Sequence, residues 1–424
     1  MKFNINKVKL NLDIIILFFM YFQLVILNFW GITSSVYKLV VVLILIRFLF
    51  SFKILKKDFV LISLLLFTFI LNVLFSDLQS LEVLKTNFLT QFYAVFYCYY
   101  IYYLNKYKRE WVLNIFSSSF FIFNATAIIN VCILLIQIFY PYSIIGFRTG
   151  IINDYYPDLI SGLFGYSAVP LVCLFFVFVI IYDIRKYRAS RGGGAKKFLF
   201  IFILLLSLVS VYISINNDNK AFFSILPFCI IMYLISNYKM RKLKFILYFF
   251  LSIICIIVLY YYNIFFNEFV NNYIIKLYRM IINSITISNK ANGSNERIAL
   301  ILETLKTKTT WLFGKGFATI SIYEENYLGY KHFGQSDFAT LLLIGGIWYF
   351  VFLGIFYYRM FCSFVSNKIN ILFIDKIIVV LLMILIAIYT QCFTRANYMF
   401  CFILLLFDFS KVQQRTETDQ IDIN

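Results

Sequence analysis

The sequence predicts an all-α polytopic membrane protein: a bundle of about twelve transmembrane helices with one large extracytoplasmic loop. Three observations carry that expectation. The chain is 62% hydrophobic with a mean hydropathy of +0.86, well above the roughly half-apolar composition of soluble domains. Its apolar residues fall in long runs with short charged breaks, and a hydrocarbon core of about 30 Å needs roughly 20 such residues per helix. The ~10-residue alternating segments of a transmembrane barrel are absent. Backbone groups in lipid must pair within their own segment, so the runs fold as helices.

Candidate spans lie near 12–30, 37–52, 59–75, 88–104, 111–140, 169–183, 198–215, 221–236, 245–263, 338–358, 376–393 and 399–409. The run 111–140 is long for one span and admits an interfacial start at Trp111. This divides the chain into residues 1–263 with spans one to nine and an outer loop at 141–168, a large loop at 264–337, spans ten to twelve at 338–410, and a polar tail at 411–424.

Charge sets the expected orientation. Of the 38 Lys and Arg residues, 24 fall in alternate breaks, such as Lys53, Lys56 and Lys57, or Lys106, Lys108 and Arg109. Twelve fall in the other set, eight of them in the large loop, and Lys38 and Arg47 lie inside the second span. With twelve spans every basic-rich break shares one side, which predicts cytoplasmic termini and an outer large loop. The net charge of +18 is thereby assigned to loops that meet anionic headgroups, not to nucleic acid. The first apolar run reads as a signal-anchor without a cleavage site. The eight cysteines sit in or beside apolar runs and none lies in the large loop, so neither disulfides nor a metal centre is expected. Walker, GxGxxG, HExxH and CxxC patterns are missing, and no cofactor is expected.

The two halves show no matched broken helices, the sign of an inverted-repeat transporter. In the large loop, Phe269, Tyr273, Ile274, Leu277, Ile281 and Ile285 predict an amphipathic helix over 269–286, with Lys276 and Arg279 near headgroups. Residues 288–294 form a turn. Ile298, Ile301, Leu302 and Leu305 predict a second amphipathic helix over 296–307. Trp311 to Phe317 is a glycine-hinged turn, where glycine either admits close backbone approach or only turns the chain.

The chemistry-bearing residues are few. Arg148 in Gly146–Gly150, Lys220 at the outer end of the eighth span, and Arg297 project from one face and suit a lipid-linked diphosphate. Snorkelling to headgroups is the plainer alternative for each. His332, the only histidine, precedes the tenth span and suits proton transfer. Asp337 could do the same work, orient the histidine, or simply cap the following helix. Arg47 either faces a cavity or pairs with a carbonyl in the bundle.

Four features resemble the Wzy-type O-antigen and capsular polysaccharide polymerases, with the related O-antigen ligases. They are Arg148-Thr-Gly150 with Gly162-Leu-Phe-Gly165; Asn219-Lys220 opening a span, where family members often show a Ser-Arg-like pair; Glu296-Arg-Ile298 followed by Trp311 to Phe317; and His332 to Phe338 before Gly345-Gly-Ile347. The resemblance implies a metal-independent, GT-C-like glycosyltransferase. Such an enzyme joins undecaprenyl-diphosphate-linked oligosaccharide repeats at the outer face of the bacterial cytoplasmic membrane. It implies that Arg148, Lys220 and Arg297, with Arg279 and Lys315 beside them, bind the donor diphosphate. His332 or Asp337 would activate the acceptor hydroxyl. Membrane lipids, a chain-length regulator and a flippase are the implied partners. A ligase would carry more arginines in its loop, and a transporter would have short loops on both faces.

Overall fold

The computed structural model describes residues 5–27, 33–50, 55–76, 80–140, 160–165, 168–189, 193–217, 258, 260–275, 299–302, 304–305, 312–322, 324, 333–334, 336–364, 380, 382–384, 386–388 and 390–406. The described residues contain helices and turns and no strand. The helices are α1 (Ile5–Phe22), α2 (Thr33–Phe50), α3 (Lys56–Phe75), α4 (Leu81–Tyr107), α5 (Arg109–Ser118), α6 (Phe120–Phe139), α7 (Val169–Ala189), α8 (Gly193–Asn216), α9 (Ile264–Phe269), α10 (Asp337–Phe364) and α11 (Ala396–Leu406). Four described segments, Lys56–Phe75, Phe120–Phe139, Lys196–Ser214 and Asp337–Ser363, are long and apolar enough to cross a membrane. The chain is therefore a helical protein of the membrane-embedded kind. Spans expected at 221–236 and most of 245–263 lie outside the described residues.

Burial follows position in the bundle rather than composition. Every residue of α11 is buried, as is α7 from Leu171 to Ile180, although α7 is less apolar than α3, α6 or α8. α11 packs on α4 and α7, and α10 packs on α3 and α4. Helices α3 and α8 instead expose Phe67, Ile70, Leu204 and Leu208. In lipid such faces need no further cover.

The long run 111–140 is split. α5 and α6 meet at Ser119, and only α6 has the length and composition of a span. The start at Trp111 therefore belongs to a separate short helix.

Buried ion pairs gather particular helix ends. Asp13 of α1 accepts from Arg47 Nε of α2 at 2.7 Å, from Tyr100 of α4 at 2.7 Å and from Lys108 Nζ at 2.7 Å. Asp58 of α3 accepts from Arg359 Nε of α10 at 2.6 Å and from Tyr102 at 3.2 Å. Both carboxylates are buried. The middle of α1 and the start of α3 thus lie with the ends of α2, α4 and α10. Lys56, Lys57, Lys106 and Arg109 flank the same helix termini and make this the basic end of the bundle. Arg47 pairs within the bundle, with the Asp13 carboxylate where a carbonyl was expected.

Candidate functional site

The opposite end of the bundle holds non-helical backbone, and a set of buried amide side chains satisfies it. α10 is not continuous: Gly346 has φ 72° and ψ 177°, which breaks the helix at Gly345-Gly346. The turn 312–317 fills the break. Lys315 N–H donates to Leu343 O at 2.8 Å, and Gly316 N–H donates to Ile344 O at 3.0 Å. A Cβ on Gly346 would meet the backbone of Leu312 to Gly314, and one on Gly314 would meet Ile344 O. Of the two options for these glycines, close approach of backbone is the one realised.

Asn72, near the end of α3 and 1% exposed, locks the turn in place. Its amide donates to Phe313 O and, at 2.7 Å, to Ile344 O, and its carbonyl accepts from Phe317 N–H at 2.8 Å. Asn87 of α4 does the same one step along. It donates to Phe317 O and Ile320 O at 2.8 Å each and accepts from Ile322 N–H at 2.9 Å. Ser80 N–H donates to Ala318 O at 3.2 Å. Gln391 donates to Ile322 O at 2.6 Å and to Gly334 O, while Arg395 Nε donates to its carbonyl at 2.9 Å. Phe317 is fully buried, stacked on Phe69 at 4.6 Å and edge-on to Tyr349 at 4.9 Å. Irregular backbone persists inside a membrane protein only where protein or a cavity satisfies its polar groups, and here three amide side chains do so.

A smaller segment is held in the same way. Gly162–Phe164 is a single 3-10 turn. Gly162 N–H donates to Gln137 at 2.8 Å and Leu163 N–H to Asn130 at 2.8 Å, both on α6, and Asn217 donates to Ile160 O at 3.5 Å.

Two expected site residues are described. Lys315 is half-buried in the turn that plugs α10. Asp337 is 1% exposed, and its oxygens are occupied. Oδ2 accepts from the N–H groups of Cys392 and Phe393 and, at 3.4 Å, of Thr394, while the Thr394 hydroxyl donates to Oδ1 at 3.1 Å. Nor does Asp337 cap its own helix. Ser336 stands in the cap position, with Ala339 N–H 3.5 Å from its hydroxyl, and the aspartate ties the turn before α11 to the start of α10. His332, Arg148, Lys220, Arg279 and Arg297 lie outside the described residues.

Within the large loop, residues 316–318 and Ile322 join the buried core, because α3 and α4 carry the amides that pair their backbone. The helix expected at 269–286 is described only to residue 275, beginning earlier as Ile264–Phe269 and continuing as the π-turn Val270–Ile275. The helix expected at 296–307 is helical where described. Leu300 and Thr304 are its buried positions, whereas Leu305 is 40% exposed. With apolar residues on several sides, spacing alone could not choose that face.

Sequence reasoning passed over Asn72, Asn87, Gln391 and Arg395. For Asn72 and Gln391 the available signal was an amide inside an apolar run, since a polar group at membrane depth needs a partner; Asn87 and Arg395 stand just outside the runs and carried no such signal. Among the described residues no three His, Cys, Asp or Glu side chains gather as metal ligands.

Fold and site together define a helical protein of the membrane-embedded kind, with loop backbone clamped into one end of its bundle. No protein-family model and no curated protein matches the chain.

Proposed function

We propose that this protein polymerises undecaprenyl-diphosphate-linked oligosaccharide repeats into a surface polysaccharide at the outer face of the bacterial cytoplasmic membrane. One observation chiefly supports the reading. Two of the segments that carry the family resemblance, Gly162–Gly165 and Leu312–Phe317, are those that buried amides hold in non-helical form. The second of these lies away from the basic end, and the positive-inside rule assigns the basic end to the cytoplasm.

In this reading Arg148, Lys220 and Arg297, with Arg279 and Lys315, hold the donor diphosphate. Fixed cations that meet the charge developing on a leaving group are a strong catalytic device. The acceptor hydroxyl oxygen forms a bond to the anomeric carbon of the donor sugar. The bond from that carbon to the diphosphate breaks, and the prenyl diphosphate departs with the electron pair. His332 takes the hydroxyl proton. Asp337, whose oxygens already accept from the 392–394 turn, serves better as a positioning residue than as the base. No metal takes part.

The test is a deletion strain carrying wild type, Lys315→Ala, Arg297→Ala or His332→Ala at matched protein level. Surface glycan is sized and lipid-linked intermediates are extracted. Single lipid-linked repeats on the outer face with polymer lost support the reading. Normal polymer in all three variants overturns the site. The break in α10 also favours a second reading, since discontinuous helices mark binding sites in transporters. Repeats trapped on the cytoplasmic face of the deletion strain would select that reading. Polymer made but left on its carrier would indicate a ligase.

A further inference from the structure

A second feature lies at the basic end, remote from the clamped loop. Tyr187 in the last turn of α7 and Lys196, Lys197, Phe200 and Ile201 at the start of α8 line a cavity of about 400 Å³. Lys196 Nζ stands 5.3 Å over the Tyr187 ring, and Tyr187 lies 6.3 Å from Phe200. Lys197 is exposed and Lys196 half-buried. Neither is ion-paired among the described residues. The carboxylate nearest in sequence, Asp183, is fully buried and accepts from Asn124 at 3.0 Å, so it does not neutralise the lysines. The N-terminus of α8 adds partial positive charge at the same place. Among the described residues that line it, the cavity therefore has two cations, an aromatic wall and no anion.

Its floor continues as an apolar stripe. Phe200, Ile201, Leu204, Leu205 and Leu208 are each at least half exposed and follow one another down α8 at helical spacing. A soluble anion would have no use for that stripe, whereas a lipid has a charged head above an acyl chain.

We propose that this cavity binds the phosphate of an anionic membrane lipid, with Lys196 and Lys197 pairing the phosphate and an acyl chain lying along Phe200, Ile201, Leu204 and Leu208. Basic pockets between membrane helices are suited to such headgroups. Two lysines hold the phosphate as point charges, and the ring of Tyr187 keeps Lys196 oriented.

The full-length protein, in nanodiscs of phosphatidylcholine with rising phosphatidylglycerol, tests this by native mass spectrometry of retained lipid. Lys196→Gln/Lys197→Gln should weaken phosphatidylglycerol retention roughly thirty-fold, with Lys196→Arg/Lys197→Arg restoring it. Lys56→Gln/Lys57→Gln removes equal charge from exposed lysines at the same end and should leave retention unchanged. Equal loss in both glutamine pairs, or loss in neither, overturns the site. Inorganic phosphate that displaces the lipid from wild type at equal concentration would assign the cavity to a soluble anion and overturn the lipid. Diazirine-tailed phosphatidylglycerol gives an answer that needs no variant: crosslinks on Phe200 to Leu208 support the proposal, and crosslinks elsewhere only refute it.

Discussion

Replacing Asn72 with leucine removes the amide clamp. Leucine keeps the branched outline and suits the apolar run of α3, but its methyl groups need more room than hydrogen-bonded N and O atoms, so overpacking adds to the loss of the bonds. Three hydrogen bonds disappear. Ile344 O keeps a donor, since Gly316 N–H also reaches it at 3.0 Å. Phe313 O and Phe317 N–H keep none among the described residues. Each orphaned buried group costs about 1–3 kcal/mol, so the docked turn loses about 2–6 kcal/mol. Even the lower figure shifts the ratio of undocked to docked turn roughly thirty-fold. The expected result is local release, because the ion pairs of Asp13 and Asp58 hold the other end of the bundle. Ala318 is fully buried and reports on that release. An Ala318→Cys protein should resist a membrane-impermeant maleimide and become reactive when Asn72→Leu is added, with native thiols subtracted using the parent chain. Equal protection in both proteins would refute the clamp argument. Labelling of Ala318→Cys alone would refute the burial.

Three more outcomes follow from the same geometry. Gly346→Ala should destabilise by about 1–3 kcal/mol from positive φ alone, with the clash against Leu312 to Gly314 added. Gly354→Ala in the same helix meets no neighbour and should be neutral or stabilising; thermal unfolding in detergent compares the two. Arg47→Met alone leaves Asp13 with Lys108 and Tyr100 and without its buried partner, at a cost of about 3–5 kcal/mol; adding Asp13→Asn should recover much of it, read as folded yield and midpoint. Asp337→Asn separates positioning from base catalysis. As a tie, it lowers stability by about 1–3 kcal/mol and polymer falls only in proportion to folded protein; polymer abolished at matched folded level would make Asp337 the base.

The spans could be read from the sequence because lipid exposure is a one-dimensional constraint. An apolar run of sufficient length must be a helix, and α3, α6, α8 and α10 lie where runs 59–75, 111–140, 198–215 and 338–358 fall. Among the described residues, Lys56, Lys57, Lys106 and Lys108 gather at one end of the bundle, whereas Lys85 and Lys315 lie with the clamped turn. Arg47 was visible as an anomaly, but its partner Asp13 lies 34 residues away and no local pattern joins them. The glycine turn at 314–316 was visible too, without its purpose.

Sequence by itself thus determined helical membrane character, the segregation of charge and the presence of a polar loop late in the chain, each dictated by local composition against a known solvent. Only tertiary structure decided that part of this loop enters the bundle and plugs a broken helix. The reason is that Asn72, Asn87 and Gln391 lie far from it in sequence. A buried carbonyl or N–H at membrane depth must find a partner, and which side chain supplies it depends on where folded helices bring the amides.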